Sequence, residues 1–201
     1  MTRADVTDAV SAGLAGLAIA VQVIVIAIAL LALVGLVVPA ARGPIRALRD
    51  NLSGGELWIA WLFALAATLG SLFFSEYSHF IPCRLCWFQR IAMYPMVVVL
   101  LIGAIRRDFR GAALSVLPLS VLGAAVSIYH IYIENNPSAE TPGCTVGAPC
   151  STKWIDRFGY ITIPTLALTA FAAIFVTLLF SWMRTRPAND SVRRLHSSSA
   201  P

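Results

Sequence analysis

Long apolar runs separated by short charged segments set the pattern of this chain. Five runs approach or exceed the roughly 20 residues that a helix needs to cross a hydrocarbon core: Leu14 to Val38, Leu57 to Phe74, Trp87 to Ile105, Gly111 to Ile133 and Tyr160 to Trp182. Hydrophobicity along them is nearly continuous and lacks the alternation of a barrel strand, so the elements it predicts are helices. Pro95, Pro118 and Pro164 fall inside the runs, where transmembrane helices tolerate a kink. The pattern predicts an all-α integral membrane protein with no soluble domain.

Charge gives the spans a direction. Arg42, Arg46 and Arg49 follow the first run, Arg106, Arg107 and Arg110 separate the third from the fourth, and Arg184, Arg186, Arg193 and Arg194 follow the fifth. The positive-inside rule makes these three segments cytoplasmic. Residues 75–86 and 134–159 then face outward, and they contain every cysteine of the chain: Cys83, Cys86, Cys144 and Cys150. The thiols therefore lie in a compartment where disulfides form and persist.

Composition agrees with the membrane reading: 58% of the 201 residues are hydrophobic and only 12% charged, outside the range of soluble domains. The net charge of +5 resides in short clusters between apolar runs. It does not form the continuous basic face, interleaved with aromatics, that nucleic-acid binding requires. The first run is longer than the apolar region of a signal peptide, and its leading segment carries Asp5 and Asp8 against Arg3. Cleavage after it would leave the 42–49 arginines outside. An uncleaved helix with its N-terminus outside is expected, added to a four-helix core.

The outer cysteines carry the candidate chemistry. Cys83-Arg84-Leu85-Cys86 has a spacing shared by redox dithiols and zinc half-sites, whereas Trp87 occupies the position where haem attachment needs a histidine. Cys144 and Cys150 could complete a four-ligand zinc set, although two pairs in separate outer loops fit disulfide chemistry better. A purely structural bond between Cys83 and Cys86 closes so short a loop that chain entropy contributes only about 2 kcal/mol. A Cys-x-x-Cys pair ahead of a helix instead favours a thiolate, and Cys86 is the more strongly placed of the two; the helix is expected to begin near it. Arg90 would then project from the same face one turn on, with Gln89 beside it. Its cation either snorkels to the lipid headgroups or stabilises the thiolate and an anionic reduced acceptor.

The stretch "PCRLCWFQRIAMYP", followed by a charged turn, another span and a second outer cysteine pair, resembles the disulfide bond formation protein B (DsbB) family, and its wording is nearest to the shorter BdbC-type members. "TIPTLALTAF", opening the last span, is similar as well. The resemblance runs from about Leu57 to Trp182. It implies a four-helix transmembrane bundle core; residues 1–56 and the tail after Arg184 lie outside it, and the first apolar run adds one extra N-terminal transmembrane helix. Residues 1–56 would be the accessory helix and basic loop, 57–183 the redox core, and 184–201 a disordered cytoplasmic tail.

The resemblance also implies roles. Cys83 and Cys86 match the pair beside the quinone, Cys86 in contact with it and Cys83 receiving electrons from the other loop. Arg90 matches the quinone-binding arginine. Cys144 and Cys150 match the outer-loop disulfide that a reduced thioredoxin-like (DsbA-type) partner attacks, with Cys144 forming the mixed disulfide. Only "TVGAP" separates that second pair, so the order of attack stays open. His130, near the outer end of the fourth span, is within reach of a quinone headgroup or is a buried histidine satisfied by a backbone carbonyl. His79 reads as solvated. Trp154, Ile155 and Phe158, interleaved with Lys153, Asp156 and Arg157, predict either a short amphipathic helix on the outer surface or an aromatic belt.

The expected activity is that of a protein-dithiol:quinone oxidoreductase in the bacterial cell membrane, with ubiquinone or menaquinone as acceptor and no metal. Two alternatives remain at this stage. A vitamin K epoxide reductase-like enzyme would carry its Cys-x-x-Cys near the last core helix, whereas here it precedes the second of four. A non-catalytic zinc-binding or structural membrane protein would hold metal and show no turnover.

Overall fold

The computed structural model describes residues 2–37, 43, 54–144 and 147–182. The first basic segment with Arg42, Arg46 and Arg49 lies outside the described residues, as does the tail that carries Arg184, Arg186, Arg193 and Arg194. Five helices dominate: α1 (Arg3–Val37), α2 (Glu56–Leu72), α3 (Arg84–Arg106), α4 (Phe109–Asn135) and α5 (Ile163–Trp182). With the π-helical turn Phe73–Tyr77 that prolongs α2, all five are long and apolar enough to cross a membrane. The chain is a multi-pass membrane protein. Among the described residues there is no strand, only an isolated bridge between Arg157 and Ile161.

Helix boundaries depart from the apolar runs where polar residues cap the ends. α1 starts at Arg3, well before the apolar run, because Thr2 and Asp5 exchange bonds in a capping box: Thr2 N donates to Asp5 Oδ2 at 2.7 Å and Asp5 N to Thr2 Oγ1 at 3.2 Å. Arg107 in the left-handed region (φ 55°) ends α3, and the Asp108 side chain, accepting from Gly111 N at 2.9 Å, starts α4. Pro95 and Pro118 lie inside continuous helices, while Pro164 occupies the first turn of α5, where its missing N–H costs nothing.

α2 to α5 form a bundle in which α3 packs between α2 and α4, and α5 closes the ring against α4 and α2. Met96, Leu100, Val116, Phe171, Ile174 and Leu178 fill its centre. Close approach depends on missing side chains: a Cβ on Gly103 would stand 2.5 Å from that of Ala112, and one on Gly123 would stand 2.2 Å from the Phe171 ring. α1 stands outside this ring and packs on α5.

The short amphipathic helix expected over residues 153–158 does not form. Phe158 and Gly159 adopt left-handed conformations (φ 56° and 76°) in a tight turn closed by the Arg157–Ile161 bridge, which interrupts any helical ladder. Trp154 instead stacks on Phe80 at 5.0 Å between ring centroids and remains exposed. The two cysteine loops and the N-terminal end of α1 gather at one end of the bundle, where Thr7 and Ser78 hydroxyls meet at 3.0 Å and Arg157 pairs with Asp8. The α3–α4 turn with Arg106, Arg107 and Arg110 lies at the opposite ends of its helices.

Candidate active site

The first cysteine pair is built by the start of α3. That helix begins at Arg84, two residues before Cys86, so the N-cap position falls to Cys83, whose extended backbone (φ −74°, ψ 172°) lets its Sγ accept from Cys86 N at 3.3 Å. Cys83 is thus the thiol at the helix terminus, a correction to the expectation that Cys86 is better placed for negative charge. The two sulfurs stand 2.9 Å apart. Hydrogen bonding from Cys86, opposed by burial and reinforced by His130, holds the Cys83 thiol far below its ordinary range, at about 4.

His130 links this pair to the second. Its Nε2 lies 3.1 Å from the carbonyl oxygen of Cys150 and 3.5 Å from Cys83 Sγ. A carbonyl can only accept, so Nε2 bears the hydrogen; the Gln89 amide then donates to the bare Nδ1 at 3.4 Å. The same N–H points at Cys83 and favours its thiolate. Of the two readings of His130 from sequence, the structure shows the buried histidine satisfied by a carbonyl; against the expectation of contact with a quinone headgroup, it is not among the residues that line the cavity described below.

Cys144 and Cys150 form a disulfide with Cα atoms 5.5 Å apart. They pack with Cys83, Leu85 and Ile133 in one buried cluster, so the two pairs share a single apolar environment. Three contacts fasten the second loop. Glu140 accepts from Cys150 N at 2.5 Å and from Ser151 Oγ at 2.7 Å, and Arg84 Nη1 reaches the Gly143 carbonyl at 3.5 Å. Gly147, at φ 93°, supplies a turn that a residue with a side chain would strain. Cys144 is 3% exposed and Cys150 fully buried, so an attacking thiolate reaches either sulfur only if the loop opens.

On the other side of Cys86 lies a cavity of about 150 Å³ between α1, α2, α3 and α5. Its walls are mainly apolar; Cys86, Gln89 and Arg90 are among the residues that line it, whereas Cys83 is not. Arg90 turns inward: its Nε donates to Ser71 Oγ at 2.9 Å and its Nη2 to the Ser71 carbonyl at 3.0 Å, with the guanidinium 5.2 Å from the Trp87 ring centroid. Nη1 has no hydrogen-bond partner among the described residues. His79, the remaining outer histidine, takes no part in either pair and sits at φ 58° in the first loop.

The thiols do not converge as one four-ligand set. Cys144 and Cys150 are bonded to each other, while Cys83, Cys86 and His130 form a separate group with donor atoms within 4.8 Å. Sequence reasoning missed Ser71 and Glu140. Ser71 could have been noticed as a hydroxyl inside an apolar run; nothing local marks Glu140, ten residues from the cysteine it holds.

Comparison with known proteins agrees with this geometry. A family model for disulfide bond formation protein DsbB matches residues 55–181. The chain is 48% identical over 126 residues to disulfide bond formation protein C of Bacillus subtilis strain 168, covering 60% of this chain and 87% of that protein. It is 47% identical over 132 residues to a probable disulfide formation protein C of Halalkalibacterium halodurans (65% and 92% covered) and 46% identical over 129 residues to a probable disulfide formation protein C 1 of Bacillus anthracis (64% and 92%). No solved structure matches. Two cysteine pairs packed at one end of a helical membrane bundle and a family match across the whole of that bundle lead to one conclusion: the chain belongs to the DsbB family of membrane oxidoreductases that form disulfide bonds.

Proposed function

We propose that this protein reoxidises an extracytoplasmic thioredoxin-like (DsbA-type) protein and passes the electrons to a membrane quinone, ubiquinone or menaquinone. One observation carries the reading: Cys83 and Cys86 stand between the second cysteine pair, on the His130 side, and a mainly apolar cavity with an unsatisfied arginine donor. The residues fit a quinone on the same ground. Apolar walls suit its ring and hydrocarbon substituents, and Arg90 Nη1, Gln89 and the Cys86 sulfur are groups that a carbonyl oxygen can meet.

The partner's thiolate attacks the Cys144–Cys150 bond, and resolution of the mixed disulfide leaves the partner oxidised and this pair as a dithiol. One cysteine of the second pair then attacks Cys83, the sulfur that faces it, so the Cys83–Cys86 bond breaks and Cys86 leaves as a thiolate on the cavity side. The other cysteine resolves this mixed disulfide, re-forming Cys144–Cys150 and releasing Cys83 as a thiolate. Arg90 favours the charge on Cys86, with Ser71 fixing the guanidinium so that little reorganisation is needed. His130 keeps its Nε2–H on the Cys83 side, where it stabilises negative sulfur. A bound quinone supplies a sink for two electrons and two protons, and re-formation of the Cys83–Cys86 bond returns the enzyme to its starting state.

Purified protein supplied with a small dithiol and a soluble quinone tests the reading. Thiol-dependent quinone reduction is expected, with catalytic efficiency falling in the order Arg90, Arg90→Lys and Arg90→Gln. The lysine keeps the charge and loses the planar fork, and the glutamine loses both; loss of one charged hydrogen bond corresponds to roughly ten- to a hundredfold. Stoichiometric zinc on Cys83, Cys86 and His130 with no turnover would overturn it.

A further inference from the structure

α1 makes only one-sided contact with the bundle, and its packing face is specific. Ser11, Ala15 and Ala18, small residues spaced to share one face of the helix, are buried against the bundle, while Val23, Ile24 and Leu30 remain exposed on the lipid side. Polar bonds fix its register at two depths. Near the outer end Arg157 pairs with Asp8 and donates to Ser11 Oγ at 2.9 Å. Deeper, Gln22 Nε2 donates to Thr169 Oγ1 at 2.8 Å and Gln22 Oε1 accepts from the Tyr160 hydroxyl at 3.2 Å. A polar side chain inside a span is costly without partners, and both ends of this amide have one.

This docking gives the cavity beside Cys86 a wall that the bundle itself does not provide. Leu14, Leu17, Ala18 and Val21 line it from α1, facing α2 and α5, and Leu14 Cδ1 lies 3.5 Å from the position of a Cβ on Gly70. α1 lies outside residues 55–181, so the wall comes from a segment beyond the family match. We propose that α1 is a specificity-determining wall of the acceptor cavity: its apolar face meets the hydrocarbon part of the acceptor, closes the cavity towards the lipid between α2 and α5, and limits the bulk that can enter. The proposal rests on the quinone reading above.

Equilibrium binding of decylubiquinone to the full-length protein, followed by isothermal titration in detergent, tests it without relying on turnover. Ala18→Trp fills the cavity from the α1 side and is expected to weaken binding at least tenfold. Val23→Trp adds the same bulk on the lipid face and should bind as wild type does. Both should retain the wild-type rate at which dithiothreitol reduces Cys144–Cys150, since neither position touches that pair. Should Ala18→Trp fail to accumulate, Ala18→Leu decides the matter with an expected weakening of about threefold, the scale of part of one buried methylene's worth of lost space. Wild-type affinity in the Ala18 variant overturns the role of α1 alone. Failure of the wild-type protein to bind either decylubiquinone or the naphthoquinone menadione overturns the quinone reading and this proposal with it. Equal weakening by Ala18→Trp and Val23→Trp also overturns it, because the effect would then not depend on the face that lines the cavity.

Discussion

Cys83 receives the Cys86 backbone N–H at 3.3 Å, lies 2.9 Å from the Cys86 sulfur and faces the His130 N–H at 3.5 Å. Each contact favours the thiolate over the thiol, and together they outweigh the burial that opposes charge. A thiol held as a thiolate in this way suits the role proposed for Cys83, accepting electrons from the other pair. Because the Cys83 value lies near 4, below its ordinary 9.0, the thiolate persists as pH falls through neutrality and is lost only as pH approaches that value. Iodoacetamide labelling of Cys83 in the reduced protein, mapped by mass spectrometry, should therefore have a rate nearly level from pH 8 to pH 6. An ordinary thiol would slow about tenfold per unit over the same range. His130→Phe should raise the inflection, whereas a purely structural histidine would leave the profile in place.

At the scale of elements, the gap left by Gly123 admits the Phe171 ring and interlocks α4 with α5. Gly123→Ala overpacks that contact, and the expected cost is about 1–3 kcal/mol, read as a fall of several degrees in the melting temperature in detergent. Phe171→Leu in the same chain should recover part of the loss; independent, additive effects would mean that the two residues do not meet. The spans themselves were legible in the sequence because twenty apolar residues in a row have few other homes. The ends were less legible. Asp5 and Asp8 look like an exposed leader, yet one closes a capping box and the other pairs with Arg157, far along the chain. The alternation of aromatic and charged residues at 153–158 reads as an amphipathic helix, but left-handed Phe158 and Gly159 override it. Within the site, Cys83, Cys86 and Arg90 were readable from local spacing. Ser71 and Glu140 were not, since each acts across a separation that no periodicity records.

For the molecule as a whole, the arrangement is a layered path at one end of a membrane bundle: a fastened outer loop with Cys144 and Cys150, a helix terminus with Cys83 and Cys86, and a cavity with Arg90. The buried sulfurs of the Cys144–Cys150 pair make loop opening part of the proposed reaction, with Glu140 and the Arg84–Gly143 contact as the fastenings that would yield. The proposed N-out orientation follows from the same geometry, because the start of α1 is bonded to both cysteine-bearing loops. The central claim is that electrons cross from one pair to the other through Cys83. Disulfide mapping of purified Cys86→Ala tests it most directly: with its own partner gone, the Cys83 thiolate should attack the second pair and be recovered bonded to one of its cysteines, leaving the other free. Recovery of Cys83 as a free thiol beside an intact Cys144–Cys150 bond would contradict the account.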